Sequence, residues 1–203
     1  MSVLILTSLK SMKRSFNNLK LYIKEMEVVM KNIFIGFVFL FLDFNLKLGN
    51  SKIGLIPDFV GYMIMLNGLA EMARESKFFI KVKPYATGMT VYSTLIYIMD
   101  FFGASVSLGL LPYFLAFTST IISLYISYNI VMGVLDMEEQ YNTHLAGPTL
   151  KTRWQYLAIF SVSSFILQIS PLAIICIIIS IIVTIYFLVA FNKSKNLFYN
   201  IVR

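Results

Sequence analysis

"LAIICIIISIIVTIYFLVAF", Leu172–Phe191, contains nothing more polar than Ser180, Thr184 and Tyr186. A helix crosses the hydrocarbon core of a bilayer with about 20 apolar residues, or about 17 when tilt and thinning help. This stretch meets that length unaided and predicts a lipid-facing anchor. Moving outward from it, further apolar blocks predict spans at about Asn32–Leu48, Pro57–Ser76, Tyr85–Phe102, Pro112–Leu135 and Trp154–Ile169. The first, third and fifth are short and rely on their flanks. The composition agrees, with 58% hydrophobic and only 13% charged residues. A soluble domain carries about 25% charged residues, so this chain has too few to cover a watery surface. Continuous apolar runs also exclude a β-barrel, whose strands alternate over short segments. The predicted fold is all-α: a polytopic helical membrane bundle of about six spans, residues 31–203, behind a leader at residues 1–30.

Charge placement tests the number of spans independently. Basic residues precede span one (Lys10 to Lys31), lie between spans two and three (Arg74 to Lys83), precede span five (Lys151, Arg153) and follow span six (Lys193 to Arg203). With six spans, all but Lys47 and Lys52 of the 17 basic residues share one side. Five or seven spans would spoil that partition. The positive-inside rule then predicts both termini in the cytoplasm of a bacterial cell. The net charge of +7 is thereby explained by topology, and a nucleic-acid partner is not expected.

The leader has a pattern of its own. Ile5, Leu9, Met12, Phe16, Leu19, Ile23, Met26 and Met30 recur at steps of four and three, with Lys10, Lys13, Lys20 and Lys24 between them. This is a basic amphipathic helix suited to an anionic inner leaflet. The same heptad spacing is also a coiled-coil seam, and a translation start at Met26 or Met30 is a third reading. Charges do not precede the short apolar run near the start, so no cleavable signal peptide is predicted.

Ionisable groups inside a span are costly, so each needs a reason. Asp43, Asp58 and Asp100 fall toward the outer ends of spans one, two and three, at similar depth. Three such carboxylates form a candidate polar cluster for a cation or proton. Simpler roles stand beside that one. Asp43 has Lys47 one helical turn away, and Asp58 follows Pro57 as an acid at a helix start. Asp100 has no basic neighbour in its own segment. At 100° per residue, Asp58, Gly61, Tyr62, Met65 and Gly68 share a face. Gly61, Met65 and Gly68 therefore predict a helix-packing seam, because small residues let backbones approach in membranes. Span four carries Ala116, Thr120, Ser123 and Ser127, and span five Ser161, Ser164 and Gln168. Tight packing is the first reading of those stripes and a polar passage the second.

The loop "DMEEQYNTHLAGPTLKTRW", Asp136–Trp154, is the one sizeable polar segment, with acidic and basic ends able to pair across it. Its His144 reads as a surface residue, and Trp154 as a member of an aromatic belt. One cysteine and one histidine exclude a disulfide framework and a Cys/His metal cluster. No HExxH, Walker or phosphate-cradling glycine loop is present, and no span holds a histidine for a protease dyad. No metal, no cofactor and no enzymatic activity are expected.

At "IGLIPDFVGYMIMLNGLAEMARES", Ile53–Ser76, the chain resembles a loose group of uncharacterised multi-pass membrane proteins of Gram-positive, chiefly clostridial and bacillar, bacteria. The segment "YNTHLAGPTLKTRWQYL", Tyr141–Leu157, is similar to their later cytoplasmic loop. The resemblance covers the chain from about residue 31 and implies a place in the cell membrane, without a mechanism. The expected partners are the lipid bilayer and a membrane protein or second copy. The expected function is that of a non-enzymatic accessory or interaction subunit. The alternative is a small carrier or permease component using carboxylates near the outer face.

Overall fold

The structure, a computed structural model, describes residues 30–41, 45–48, 51–54, 57–102, 111–166 and 173–202. The leader's amphipathic pattern and Asp43 lie outside the described residues. Within them the chain forms six helices and one short hairpin. These are α1 (Met30–Phe41), β1 (Asn45–Leu48), β2 (Ser51–Gly54), α2 (Asp58–Met72), α3 (Lys77–Phe101), α4 (Leu111–Gln140), α5 (Gly147–Ile166) and α6 (Ala173–Val202). Two helices are long and apolar enough to cross a membrane: α4, and α6 over Ile178–Ile201. Only 28% and 22% of their apolar windows are buried, unlike the enclosed core helix of a water-soluble protein. The other helices are shorter, as α2 is at 15 residues, or diluted by Tyr, Thr and Ser in α3 and by a polar first turn in α5.

One expected element changes. The first span was predicted to run as helix to Leu48, but residues 45–48 are a strand paired antiparallel with 51–54, Lys47 opposite Lys52. A Gly-Asn dipeptide between two short runs favours a two-residue hairpin connection, and Gly49-Asn50 is that signal. Because Lys47 is in a strand, its helical spacing from Asp43 no longer describes their relation.

Each helix packs on the next in sequence from α2 to α6, and α1 closes the ring. One face of α1 meets α2 at Gly36, where an added Cβ would lie 2.7 Å from the Met65 Cβ and 2.9 Å from the Gly61 carbonyl. Only glycine allows that approach, and Gly61 makes the reciprocal contact with Phe39 and Leu40. The other face meets α6 through rings: Phe37 stands edge-on to Phe187 (5.4 Å) and Phe191 (5.2 Å). Successive helices run in opposite directions, as the pairs Gly36–Met65, Phe59–Tyr97, Tyr85–Tyr125 and Ser164–Ser180 require. The start of α1, the α2–α3 turn, the α4–α5 loop and the end of α6 therefore gather at one end of the bundle. That end carries Lys31, Arg74, Lys77, Lys81, Lys83, Lys151, Arg153, Lys193 and Lys195, and is called here the basic end.

Several acids and hydroxyls at the basic end are paired, although the buried Thr143 and Ser194 hydroxyls have no hydrogen-bond partner among the described residues. Ser76, in extended backbone, starts α3: its Oγ accepts the Phe78 N–H at 3.3 Å and donates to Asp136 Oδ2 at 2.5 Å. The nearly buried Glu75 accepts the Tyr141 hydroxyl at 2.5 Å. Glu138 accepts the Gly147 N–H at 2.7 Å and pairs with exposed His144 at 3.1 Å. Asn142 closes α4 at φ 47°, a conformation asparagine tolerates. The expected pairing of Asp136, Glu138 and Glu139 with Lys151 and Arg153 is not what forms among the described residues. The acids turn instead to the α2–α3 turn and to the loop's own backbone, and Arg153 lies over the Tyr186 ring at 5.2 Å. Backbone and hydroxyl donors fixed nearby outcompete flexible cations on the water-facing side.

Away from that end the helices show bare apolar faces. Ile178, Ile182, Ile185 and Val189 of α6, Phe114 and Phe117 of α4, and Val91, Leu95 and Phe101 of α3 are exposed. Contiguous apolar surface of this kind needs a non-aqueous neighbour.

Candidate functional site: a polar cavity among the helices

A cavity of about 310 Å³ opens between α1, α2, α3, α4 and α5. That falls within the range of small-ligand sites, roughly 300–1,000 Å³. Asp58 and Tyr62 enter it from α2, Tyr92 and Ser93 from α3, Ser119, Thr120 and Ser123 from α4, and Ser161 from α5. Leu40, Phe41, Met89 and Leu124 complete the wall. Asp58 begins α2, where Pro57 fixes an extended-to-helical change and an acid favours the positive helix end. Its side chain is exposed, so the cavity opens outward at the end opposite the basic one.

Part of the wall presents acceptors. Ser93 donates its hydroxyl proton to the Met89 carbonyl at 2.6 Å, and Ser119 and Thr120 donate theirs to the Ala116 carbonyl at 2.8 and 3.0 Å. A hydroxyl has one proton and two lone pairs, so these oxygens have only lone pairs left to offer. Tyr62 is buried within hydrogen-bonding reach of Ser123, with Asp58 and Tyr92 close by, and Tyr92 reaches Ser119. Among the described residues no lysine or arginine lines the space, and Asp58 is the one charged group. A carboxylate, hydroxyl lone pairs and two phenol rings recognise a cation or a hydrogen-bond donor, and repel an anion.

The sequence-predicted residues separate here. Asp58 is in the wall. Asp100, near the end of α3, is outside it but close enough to act electrostatically on Tyr92. Phe59 packs on Tyr97 at 5.7 Å, which sets the start of α2 beside the end of α3. Among the described residues no three acidic, histidine or cysteine side chains come together as a metal site. Gly61, Met65 and Gly68 are all buried in α2, and Gly61 and Met65 form the α1 seam. The hydroxyl stripes divide between the two roles read for them. Thr120, Ser123 and Ser161 line the cavity. Ser127 accepts the Trp154 indole N–H at 2.9 Å, and Ser164 meets Ser180 at 2.9 Å, both joining neighbouring helices. Tyr92, Ser93 and Ser119 were not singled out by sequence. Each is one of many polar residues in α3 and α4, and only helix rotation distinguishes those that face inward.

Set against protein-family models, curated proteins and solved structures, the chain matches none of them.

Proposed function

We propose that this chain is a six-span protein of the bacterial cell membrane, with both termini cytoplasmic, that binds a small cation in a cavity facing outward and acts as a carrier or permease component. The observation that carries the reading is the hydroxyl-lined cavity around Asp58, into which, among the described residues, no basic side chain enters. Support for the membrane setting comes from the two span-length helices and from the exposed apolar faces on α3 and α5 as well. Gathering of the basic residues at one bundle end fits the positive-inside rule. Beyond the cavity, the path toward the basic end is filled by Met65, Leu69, Ile130 and Val134, so passage requires the helices to move.

The test is uptake of tetramethylammonium into proteoliposomes containing the purified chain. Asp58→Asn is expected to abolish saturable uptake and Asp100→Asn to weaken it. Uptake that is indifferent to both changes overturns the site assignment. The accessory-subunit reading draws on one observation, the broad exposed face of α6 from Ile175 to Val189, which a partner helix would cover as well as lipid. Mild extraction from native membranes that retains a stoichiometric partner, together with absent uptake, favours it.

A further inference from the structure

The polar cavity has an apolar neighbour. Between α3 and α4 runs a groove of about 580 Å³, lined by Pro84, Tyr85, Gly88, Leu115 and Ile122 among others. It shares Met89, Tyr92 and Ser119 with the polar cavity, so the two spaces join at those side chains. Its walls are almost wholly hydrocarbon and ring. Pro84 and Gly88 keep α3 slim there, and nothing lies within 4 Å of where a Gly88 Cβ would project. From Tyr92 back to Pro84 the groove follows α3 for about 12 Å, at 1.5 Å per residue, running away from Asp58 and toward the basic end.

We infer that the cavity and the groove are one site for a single-chain amphiphile with an ammonium head. This rests on the cation reading of the cavity and adds the ligand's class. The head meets the Asp58 carboxylate, the Tyr62 and Tyr92 rings and the hydroxyl lone pairs, while the tail lies along Gly88 between Leu115 and Ile122. Charge complementarity selects the head, because among the described residues the wall holds the Asp58 carboxylate and no cation to answer a phosphate or sulfate. The layout sets the head nearer the end opposite the basic one and runs the tail past Tyr92 along the apolar flank of α3. Such a ligand enters sideways, between α3 and α4, where Tyr85, Gly88 and Thr118 are exposed.

The test uses the full chain in nanodiscs of phosphatidylcholine with tritiated dodecyltrimethylammonium and, separately, tritiated tetramethylammonium. Asp58→Asn is expected to weaken both by about tenfold or more, the loss of one charge-assisted contact. Gly88→Phe, which projects into open space, is expected to weaken the dodecyl probe by a similar factor and to leave tetramethylammonium unchanged. An unchanged melting temperature of Gly88→Phe shows that the fold is intact, and Gly88→Ala should bind the dodecyl probe normally. If tetramethylammonium depends on Asp58 but the dodecyl probe ignores Gly88→Phe, the tail assignment falls and the cavity reading stands. If neither probe depends on Asp58, both fall. Equal displacement of the dodecyl probe by dodecyl sulfate overturns the choice of a cationic head.

Discussion

The two ends of this bundle solve the problem of polar groups in opposite ways. At the basic end three acids have fixed partners: Asp136 has Ser76 and Gln140, Glu75 has Tyr141, and Glu138 has the Gly147 amide. At the other end the hydroxyls turn their protons back on their own helices, and their lone pairs face an open space beside Asp58. The first arrangement joins neighbouring helices, and the second turns acceptors toward whatever enters the cavity. In water-facing turns, satisfied hydrogen bonds stabilise modestly, while leaving one group buried and unmade is expensive. On the proposed reading, the first end contributes stability and the second contributes binding.

Substitutions can break or sharpen that contrast, with stability read as denaturation of the purified protein in a mild detergent. The largest effect is expected from enlarging a glycine at the packed end. Gly133→Leu drives a side chain into the Phe79 ring, 2.7 Å from the first added carbon, and should cost about 3 kcal/mol. Gly88→Leu, the same change beside the cavity, should leave stability unchanged or raise it slightly. Equal losses at the two positions would erase the distinction between packed and open regions. Next comes Tyr141→Phe, which takes the hydroxyl donor from the nearly buried Glu75 and should cost about 1–3 kcal/mol. A melting curve identical to the parent's would mean that water replaces that donor without loss. Ser76→Ala removes a helix cap and the partner of Asp136 together, for about 1 kcal/mol. The smallest stability change belongs to Asp58→Asn, within about 0.5 kcal/mol, although it should remove cation binding. A marked loss of stability there would make Asp58 a structural acid like Asp136.

Much of this was readable before any coordinates. Each apolar block overlaps one helix, with the bounds of α2 and α4 closest to those expected, and α2's inward face followed from the glycine spacing of Gly61 and Gly68. Helices whose polar ends project past the apolar stretch were read too short. α6 continues from Phe191 to Val202 because hydropathy marks the oily part of a helix and not its hydrogen-bonded length. The strand Asn45–Leu48 was absorbed into the first span, since leucines suit both structures and a short apolar run does not choose between them. Of the site, Asp58 could be singled out as an acid in an apolar chain. Tyr92, Ser93 and Ser119 could not, because neighbouring threonines and serines of α3 and α4 look identical and differ only in the direction they face. The acids of the α4–α5 loop were assigned to Lys151 and Arg153 by proximity in sequence. Their actual partners, Ser76 and the Gly147 amide, depend on tertiary neighbours or on backbone donors that charge patterning does not display.

Trp154 has a consequence of a different kind. It is the one tryptophan in the chain, and its indole is hydrogen-bonded across the α4–α5 seam to Ser127, with Tyr128 alongside at 4.8 Å. Ser127 lies one turn along α4 from Ser123, which faces the cavity. Excited at the red edge, where tryptophan absorbs and tyrosine does not, the protein therefore emits from a single joint between two helices, placed beside the polar cavity. Occupancy that leaves the helices still should pass unseen in that light, and occupancy that slides α4 against α5 should shift its colour. The molecule thus carries its own optical gauge for telling a binder from a carrier.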